Sequence, residues 1–373
     1  SSPSITIQKT QSIAGIAPSL TDENLYGLKV AKLNDNTVAI LVVSNTSAYV
    51  YPIRIDADND NNMYQVDQEY SIPSIDQPVY SHPAFERVAE NKVVFGWMEY
   101  NGADQYSYCR LDKITFNPSS DTMTRTAMSV PDSGRYVNNG NRRYNSVQMA
   151  ELKGTPGTYF ITYNANSNLN LYSQGDYMIF RSDFSGSQVY DQMAWTGTPG
   201  DGDMSDLKNA LAIAYSENDW YMVGEGTAYV RGYGSSSNTV ISELNFASDV
   251  GQYDLTPSRY LEWHRLGNDD EKTMIYIHGQ HGGGNAHDQV SDELYKHPYN
   301  WGLRVLKPGS DNTLVCSPAT SNVISFTTGS DITPMTTQPK SFYKISESLI
   351  GMVGVKNRNS DASHEIVMCY LKF

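Results

Sequence analysis

The strongest constraint on the fold is a unit of four short β-strand patterns that the sequence repeats along its length. In the first copy, residues 28–73, apolar runs at 28–33 and 37–43 flank a polar turn, and two further strand patterns follow. The same rhythm restarts near His82, Tyr144, Leu207, Tyr260 and Phe342. Repeats of this kind, each too small to bury a core alone, predict an all-β fold built from stacked four-stranded sheets.

The last copy is short by one strand. It ends after its third strand pattern, residues 365–373, whereas residues 4–13 at the N-terminus have the pattern of a fourth strand. Because a closed ring leaves no long unpaired sheet edges, the sequence predicts a six-bladed β-propeller of four-stranded antiparallel blades, closed by the N-terminal strand. The single domain, 1–373, has blades at about 28–73, 82–130, 144–195, 207–254, 259–328 and 341–373 plus 4–13. A seventh blade within 308–337 is the alternative.

The segment LNDNTVAILVVSNTSAYVYPIRID, residues 33–56, shows the rhythm most clearly. It resembles the divergent repeats of β-propeller heads in phage tail fibres, environmental adhesins and some secreted glycan-active proteins. The resemblance covers most of the chain and lies in the strand rhythm, without a shared residue motif. It implies a propeller that recognises a ligand, and it transfers no catalytic residue.

The charge and hydropathy of the sequence limit the classes of partner that the protein is expected to bind. The formal net charge is −14 and no basic run is present, which disfavours binding to nucleic acid. No apolar stretch approaches the roughly 20 residues that span a bilayer, so no membrane insertion is predicted. The acidic composition with 27 Tyr suits an extracellular or secreted protein, or one on a virion surface.

Strand direction divides the loops between the two ends of the blades. Loops between second and third strands share one end with the segments that lead into each first strand. This end carries the longest polar loops, including predicted loops at 224–238 and 279–300. Binding residues tend to lie on such loops. The predicted ligand-binding residues are Tyr26, His82, Arg143, Tyr144, Arg259, Tyr260 and His281.

These side chains fit a glycan, because Tyr rings stack on sugars and Arg binds carboxylates or vicinal hydroxyls through two hydrogen bonds. The first interpretation is a non-catalytic module that binds a glycan or a cell-surface receptor, alone or within a larger fibre or assembly. One alternative is a polysaccharide lyase or glycoside hydrolase that uses His82, Tyr144 and Arg143 as catalytic residues. Another is a structural or assembly protein. The sequence contains no complete sialidase-type Asp-box and no G-x-S-x-G motif, which favours binding over catalysis.

Two segments are candidate metal sites. Residues 278–298 hold four of the seven His residues, which predicts a partner-binding loop, a metal site or a general base. The segment DADNDNNMYQVD resembles an EF-hand calcium loop, with Asn61 in place of the usual Gly and strand patterns on both sides. Alternating carboxylates repel one another unless a cation lies among them, so we predict Ca²⁺ here; an Asn/Asp turn is the alternative. The predicted ligands are Asp56, Asp58, Asp60, Asn62 and Asp67.

Overall fold

The structure of the protein is a computed structural model. It describes residues 6–13, 16, 25–44, 47–56, 62–65, 70–72, 81–101, 103–104, 106–130, 134–136, 145–151, 157–166, 175–186, 190–193, 210–214, 220–225, 229–234, 240–245, 264–266, 273–279, 301–308, 314–317, 324–325, 337–346, 349–357 and 364–372. The regular structure of these residues is entirely β. Their strands form six separate sheets.

The first half of the described chain forms three sheets. Strand β1 (Thr6–Ser12) precedes the first repeat. The first sheet contains β2 (Leu25–Asn34), β3 (Thr37–Ser44), β4 (Ala48–Asp56), β5 (Asn62–Gln65) and β6 (Tyr70–Ile72). After β7 (Ser81–His82), the second sheet contains β8 (Ala84–Ala89), β9 (Lys92–Asn101), β10 (Tyr106–Asn117), β11 (Thr122–Met128) and β12 (Gly134–Tyr136). The third contains β13 (Asn145–Glu151), β14 (Tyr159–Asn166), β15 (Gly175–Ser182) and β16 (Tyr190–Met193), together with β7.

The second half repeats the same plan. The fourth sheet contains β17 (Ala210–Ala214), β18 (Trp220–Glu225), β19 (Tyr229–Gly234) and β20 (Val240–Asn245). The fifth contains β21 (His264–Leu266), β22 (Thr273–Gly279), β23 (Trp301–Pro308), β24 (Leu314–Ser317) and β25 (Ile324–Ser325). The sixth contains β26 (Thr337–Ser346), β27 (Leu349–Asn357) and β28 (His364–Lys372), together with β1.

Consecutive strands pair antiparallel within each sheet, with local departures from the predicted pattern. The predicted loop at 224–238 is wrong, because it contains β19, which pairs with β18. The glycines of YVRGYG make this strand read as a loop, but the backbone hydrogen bonds to β18 and β20 fix it. In the first, second and fifth sheets the fourth strand is split into two segments, and both pair with the third strand.

The two ends of the chain meet in the sixth sheet. Strand β1 pairs antiparallel with β28, from Thr6 opposite Lys372 to Ser12 opposite Val367. This is the strand pairing that the incomplete last repeat predicts. Just beyond β1, the buried side chains of Ile13 and Ile16 pack into a core shared by the first and sixth sheets.

The cores lie between neighbouring sheets, because each central strand has apolar side chains on both faces. Residues 38–43 of β3 are all buried, and alternate positions point to opposite sides. Leu41 and Val43 pack against Phe95 and Phe116 of the second sheet, whereas Val42 belongs to the core shared with the sixth sheet. The sequence TVAILVV therefore reads as a continuous apolar run, as expected for a strand that is covered on both faces.

Gly96 in β9 allows the second and third sheets to approach closely. A Cβ atom at this position would lie 2.8 Å from Leu111 Cδ2 and 2.8 Å from Val147 Cγ1. Leu111 is on the neighbouring strand, and Val147 is on β13 of the next sheet. A larger residue would therefore force the two sheets apart.

Hydrogen bonds at the ends of the sheets join the first and second sheets. Asn91, in the turn between β8 and β9, has a φ of 57°. Its N–H donates to Leu33 O at 2.8 Å, and its carbonyl accepts from Phe116 N–H at 2.8 Å. An ion pair between Arg54 Nη2 and Asp121 Oδ1, at 2.7 Å, also crosses from sheet to sheet. These contacts fix the orientation of the second sheet, which carries the candidate site at its opposite end.

The strand registers define that opposite end, which we call the loop end. It contains the starts of the first strands and the connections from second to third strands, as at Leu25 opposite Ser44, Tyr106 opposite Asn101 and Trp301 opposite Gly279. The first strands of neighbouring sheets lie against one another, β2 against β8 and β26, and β13 against β8 and β17. In the described part of the chain, no helix is long and apolar enough to cross a membrane.

Candidate functional site

A group of polar and aromatic side chains lies at the loop end of the second sheet. Four members form two directly opposed pairs on β9 and β10, Tyr106 with Asn101 and Tyr108 with Glu99. We call the whole group the loop-end cluster; it consists of Glu99, Asn101, Asp104, Tyr106, Tyr108 and Arg110. The alternation of side chains along β10 places Tyr106, Tyr108 and Arg110 on one face of the sheet. This is the face that carries Phe95 and Phe116 against the first sheet.

Asp104 organises the turn between the two strands. Its Oδ2 accepts hydrogen bonds from Tyr108 OH at 2.6 Å and from Asn101 Nδ2 at 3.0 Å. Its Oδ1 accepts from the Tyr106 N–H at 3.0 Å. Asn101 Oδ1 in turn accepts from the Ala103 N–H at 3.0 Å. Because both carboxylate oxygens are used, Asp104 holds the two tyrosines in place.

Arg110 contacts both a carboxylate and an aromatic ring. Its Nε donates to Glu99 Oε2, and its Cζ lies 5.3 Å from the centroid of the Tyr108 ring. Its side chain is 46% exposed, and that of Glu99 is 24% exposed. No described residue hydrogen-bonds to the Arg110 Nη atoms or to Glu99 Oε1. Among the described residues these groups therefore have no protein hydrogen-bond partner.

Tyr106 supplies an exposed aromatic surface beside Tyr108. It is 38% exposed, and its ring centroid lies 6.1 Å from that of Tyr108 with an interplanar angle of 31°. Tyr108 in turn contacts Arg110, so the cluster combines an apolar surface with directional hydrogen-bonding groups. That combination can cover one face of a small polar ligand and bind its edge.

The hydrogen bond between Tyr108 and Asp104 sets the ionisation of both groups. It lowers the pKa of Asp104 below its usual value, and backbone and Asn101 hydrogen bonds act in the same direction. The same bond raises the pKa of Tyr108. Near neutral pH, Tyr108 is therefore a neutral donor and Asp104 an anion. Neither residue is arranged to exchange protons with a substrate, since a general base or acid needs a pKa near the working pH.

Buried side chains of β9 and β10 continue the same face of the sheet away from the loop end. Trp97, directly opposite Arg110, stacks on Phe95 with a centroid distance of 4.4 Å, and its Nε1 has no hydrogen-bond partner among the described residues. The next residue of β10 on the same face is Asp112, whose Oδ2 forms a close ion pair with Arg125 Nε at 2.7 Å. Burial raises the pKa of Asp112, and Arg125 opposes that shift.

Two of the predicted ligand-binding residues lie within strands. Tyr26 lies in β2 and His82 in β7, and these strands contact each other. The predicted blade boundary puts His82 at the start of the second blade. In the structure, β7 instead pairs in parallel with β13 of the third sheet. The segment that leads into the second sheet therefore runs beside the first strand of the third sheet. The other predicted residues lie outside the described part of the chain: Arg143, Tyr144, Arg259, Tyr260 and His281.

The predicted calcium loop is described only at its edges. Asp56 ends β4, and Asn62, which begins β5, is its directly paired residue. Asp58, Asp60 and Asp67 lie outside the described residues. Within the ranges that are described, no three His, Cys, Asp or Glu side chains are grouped so that they could hold a metal ion. Calcium binding at residues 56–67 therefore stays a prediction.

The sequence contains a signal for the loop-end cluster besides its long loops. From Tyr106 the chain reads Y-S-Y-C-R, with polar and aromatic residues at every second position. Cys109 and Leu111 of this strand lie in the core, so the residues that alternate with them, Tyr106, Tyr108 and Arg110, lie on the opposite face of the sheet.

Comparisons with known proteins identify similar folds. No protein-family model matches the sequence, and no curated protein matches it. The crystal structure of a protein of unknown function from Dyadobacter fermentans is 10% identical, with 100% of both chains covered and a TM-score of 0.55. The α-L-arabinanase of Penicillium chrysogenum, complexed with arabinobiose, is 9% identical, with 98% of both chains covered and a TM-score of 0.53.

At such low identity the similarity shows the fold alone. The chain is an all-β protein of antiparallel sheets, and the fold that it shares with the arabinanase is a β-propeller. Many unrelated functions occur on a common fold, so a function must be argued from the site. For this chain, that site is the loop-end cluster.

Proposed function

We propose that this β-propeller binds a glycan through its loop end. The observation that carries the proposal is the loop-end cluster, in which the Tyr108 ring lies between the exposed Tyr106 ring and the partly exposed ion pair of Arg110 and Glu99. Sugars match this arrangement because an aromatic ring covers their C–H face while charged donors and acceptors bind their hydroxyl groups. The arabinanase gives independent support, since it has the same fold and is complexed with arabinobiose.

A second candidate function is glycoside hydrolysis at the same end, which the arabinanase favours. Such enzymes need two carboxyl groups, one of them with a raised pKa that allows it to act as an acid. In the described cluster, Asp104 has a lowered pKa, which does not fit the acid, and Glu99 is engaged in an ion pair with Arg110. The enzyme hypothesis therefore rests on residues elsewhere at the loop end, with His82, Arg143 and Tyr144 as the predicted participants, whether for hydrolysis or for a lyase reaction.

The test compares glycan binding by the native protein and by matched variants. The native protein is first screened on an array of neutral, uronate-containing and sulfated oligosaccharides. For the best ligand, Tyr106→Ala and Arg110→Ala are each expected to weaken binding by about tenfold, the effect of a modest hot-spot residue. Arg87→Ala is the matched control, because Arg87 is an exposed arginine of the same sheet near its opposite end. It should bind normally.

The outcomes separate the candidate functions. If no glycan binds, or if both cluster variants bind as well as the native protein, this proposal is wrong. Chromatography of the incubated oligosaccharide distinguishes an enzyme, because shortened or unsaturated products would appear. In that case His82→Ala should keep binding and lose product formation. A receptor partner, a place in a fibre and an extracellular or virion-surface location stay predictions from the sequence.

We also propose the finer architecture, six blades closed into a ring by the N-terminal strand. Two observations support it: six sheets among the described residues, and the pairing of β1 with β28. Contacts between the first strands, including β21 with β26 and β26 with β2, run in the order that a ring requires. A closed ring would hold the loop ends of all blades around one axis, which is the geometry that a shared ligand surface needs.

A further inference from the structure

We infer, on the basis of the glycan-binding function proposed above, that the loop-end cluster selects neutral sugars with vicinal hydroxyl groups over uronates and sulfated sugars. The charges around Arg110, and its hydrogen-bond donors that have no partner among the described residues, favour this class of ligand.

The first step is the local charge. Arg110 is the one cation among the six residues of the cluster, and Glu99 and Asp104 are two carboxylates. Asp104 is held in its ionised form by the hydrogen bond from Tyr108. The cluster is therefore anionic, on a chain whose formal net charge is −14. A ligand carboxylate or sulfate that approached Arg110 would also approach these two like charges, which disfavours it.

The second step is the hydrogen-bonding pattern. Arg110 uses Nε for Glu99 Oε2, and neither its Nη donors nor the second oxygen of Glu99 has a hydrogen-bond partner among the described residues. A planar guanidinium next to a carboxylate presents donors and an acceptor at neighbouring positions. Two adjacent sugar hydroxyls match this, because one accepts from Arg110 while the other donates to Glu99. A ligand carboxylate has only acceptors, so it would leave Glu99 Oε1 without a donor.

The third step is the support of this pair. The Tyr108 ring lies against the guanidinium of Arg110, and Tyr108 is itself fixed by its hydrogen bond to Asp104. The Arg110 fork is therefore preorganised, which lowers the entropy cost of binding a ligand. Tyr106 continues the aromatic surface from Tyr108 outward. A ring with a continuous C–H face, such as a neutral pyranose or furanose, can pack on it.

The experiment compares ligands that differ only in charge. From the array, the best neutral oligosaccharide and its counterpart with a carboxylate in place of one primary alcohol are measured by titration calorimetry at low and high salt. We expect the native protein to bind the neutral sugar at least about tenfold more tightly. Raising the salt concentration should improve binding of the charged counterpart, because screening weakens repulsion between like charges.

Glu99→Gln is the informative variant, because it keeps the shape of the side chain and removes its charge. It should weaken binding of the neutral sugar and strengthen binding of the charged counterpart. The ratio of the two affinities, which favours the neutral sugar in the native protein, should therefore become smaller. Asp35→Asn, at the opposite end of the first sheet, is the control for a general change in net charge and should leave the preference unaltered. Circular dichroism and the melting temperature establish that each variant is folded.

Each outcome has a distinct meaning. If the native protein binds uronate or sulfated sugars as tightly as neutral ones, or if Glu99→Gln leaves the preference unchanged, the inference is overturned while glycan binding stands. If no oligosaccharide of any class binds, the proposed function itself fails. If the control variant shifts the preference as much as Glu99→Gln does, the selection comes from net charge and not from the cluster, which also refutes the inference.

Discussion

Removal of residues 1–16 tests the role of the N-terminal segment, and we expect it to lower the melting temperature substantially. The deletion removes β1, which pairs with β28 along one edge of the sixth sheet. It also removes Ile13 and Ile16, which are 5% and 7% exposed and pack against Leu28, Val30 and other residues of the core shared by the first and sixth sheets. Two separate kinds of interaction are therefore lost together.

The expected magnitude follows from the apolar burial. Each buried Ile side chain contributes about 1.5–3 kcal/mol, so the pair contributes about 3–6 kcal/mol. The hydrogen bonds of β1, worth about 1 kcal/mol each, are offset by the entropy cost of ordering its residues, about 1–2 kcal/mol each. For a chain of 373 residues that unfolds as one unit, the unfolding entropy is about 0.8 kcal/mol/K. The melting temperature should then fall by about 4–8 °C.

Calorimetry or thermal circular dichroism measures this change, and a peptide added in trans sharpens the test. A synthetic peptide of residues 1–16 should restore much of the lost melting temperature of the truncated protein. The same peptide with Ile13→Ser and Ile16→Ser should restore less, because it retains the strand and lacks the buried side chains. An unchanged melting temperature after truncation would refute both the packing argument and the proposed closure.

Two further predictions concern single side chains. Gly351→Ala should destabilise the protein by about 1–3 kcal/mol, because its Cβ would overlap the ring of Tyr343 on the paired strand. Denaturant unfolding measures the loss, and the same substitution should cost less in a Tyr343→Ala background, where the ring is absent. Burial raises the pKa of Asp112 above its unfolded value, against the opposing effect of Arg125, so the stability that the protonated carboxyl contributes is lost as the pH rises through the folded pKa. The melting temperature of Asp112→Asn, taken relative to that of the native protein, should therefore rise as the pH increases from acid to neutral. A series in which this difference falls with pH would contradict the argument.

Local patterns in the sequence were sufficient for the strands of the best-defined repeats. Runs such as TVAILVV in β3 and KVVFGWM in β9 are continuous and apolar, and each is followed by a turn and another strand. The incomplete last repeat predicted the partner of the N-terminal strand. The last repeat lacks a fourth strand and the N-terminus has a strand that belongs to no repeat, so the two were expected to pair. Where glycines interrupt the alternation, as in β19, the local signal fails and pairing with neighbouring strands decides the structure.

The sequence by itself determined the all-β class, the rhythm of the repeats and the end of the sheets on which the polar loops lie. Only the tertiary structure decided that Glu99, Asp104 and Arg110 meet around Tyr108, because their contacts depend on the register between β9 and β10 and on the turn that joins them. It also decided that β7 leaves its own repeat and pairs with β13. The physical reason is that periodicity fixes the face on which a side chain lies, whereas its neighbours across strands and sheets are set by packing between segments distant in the sequence.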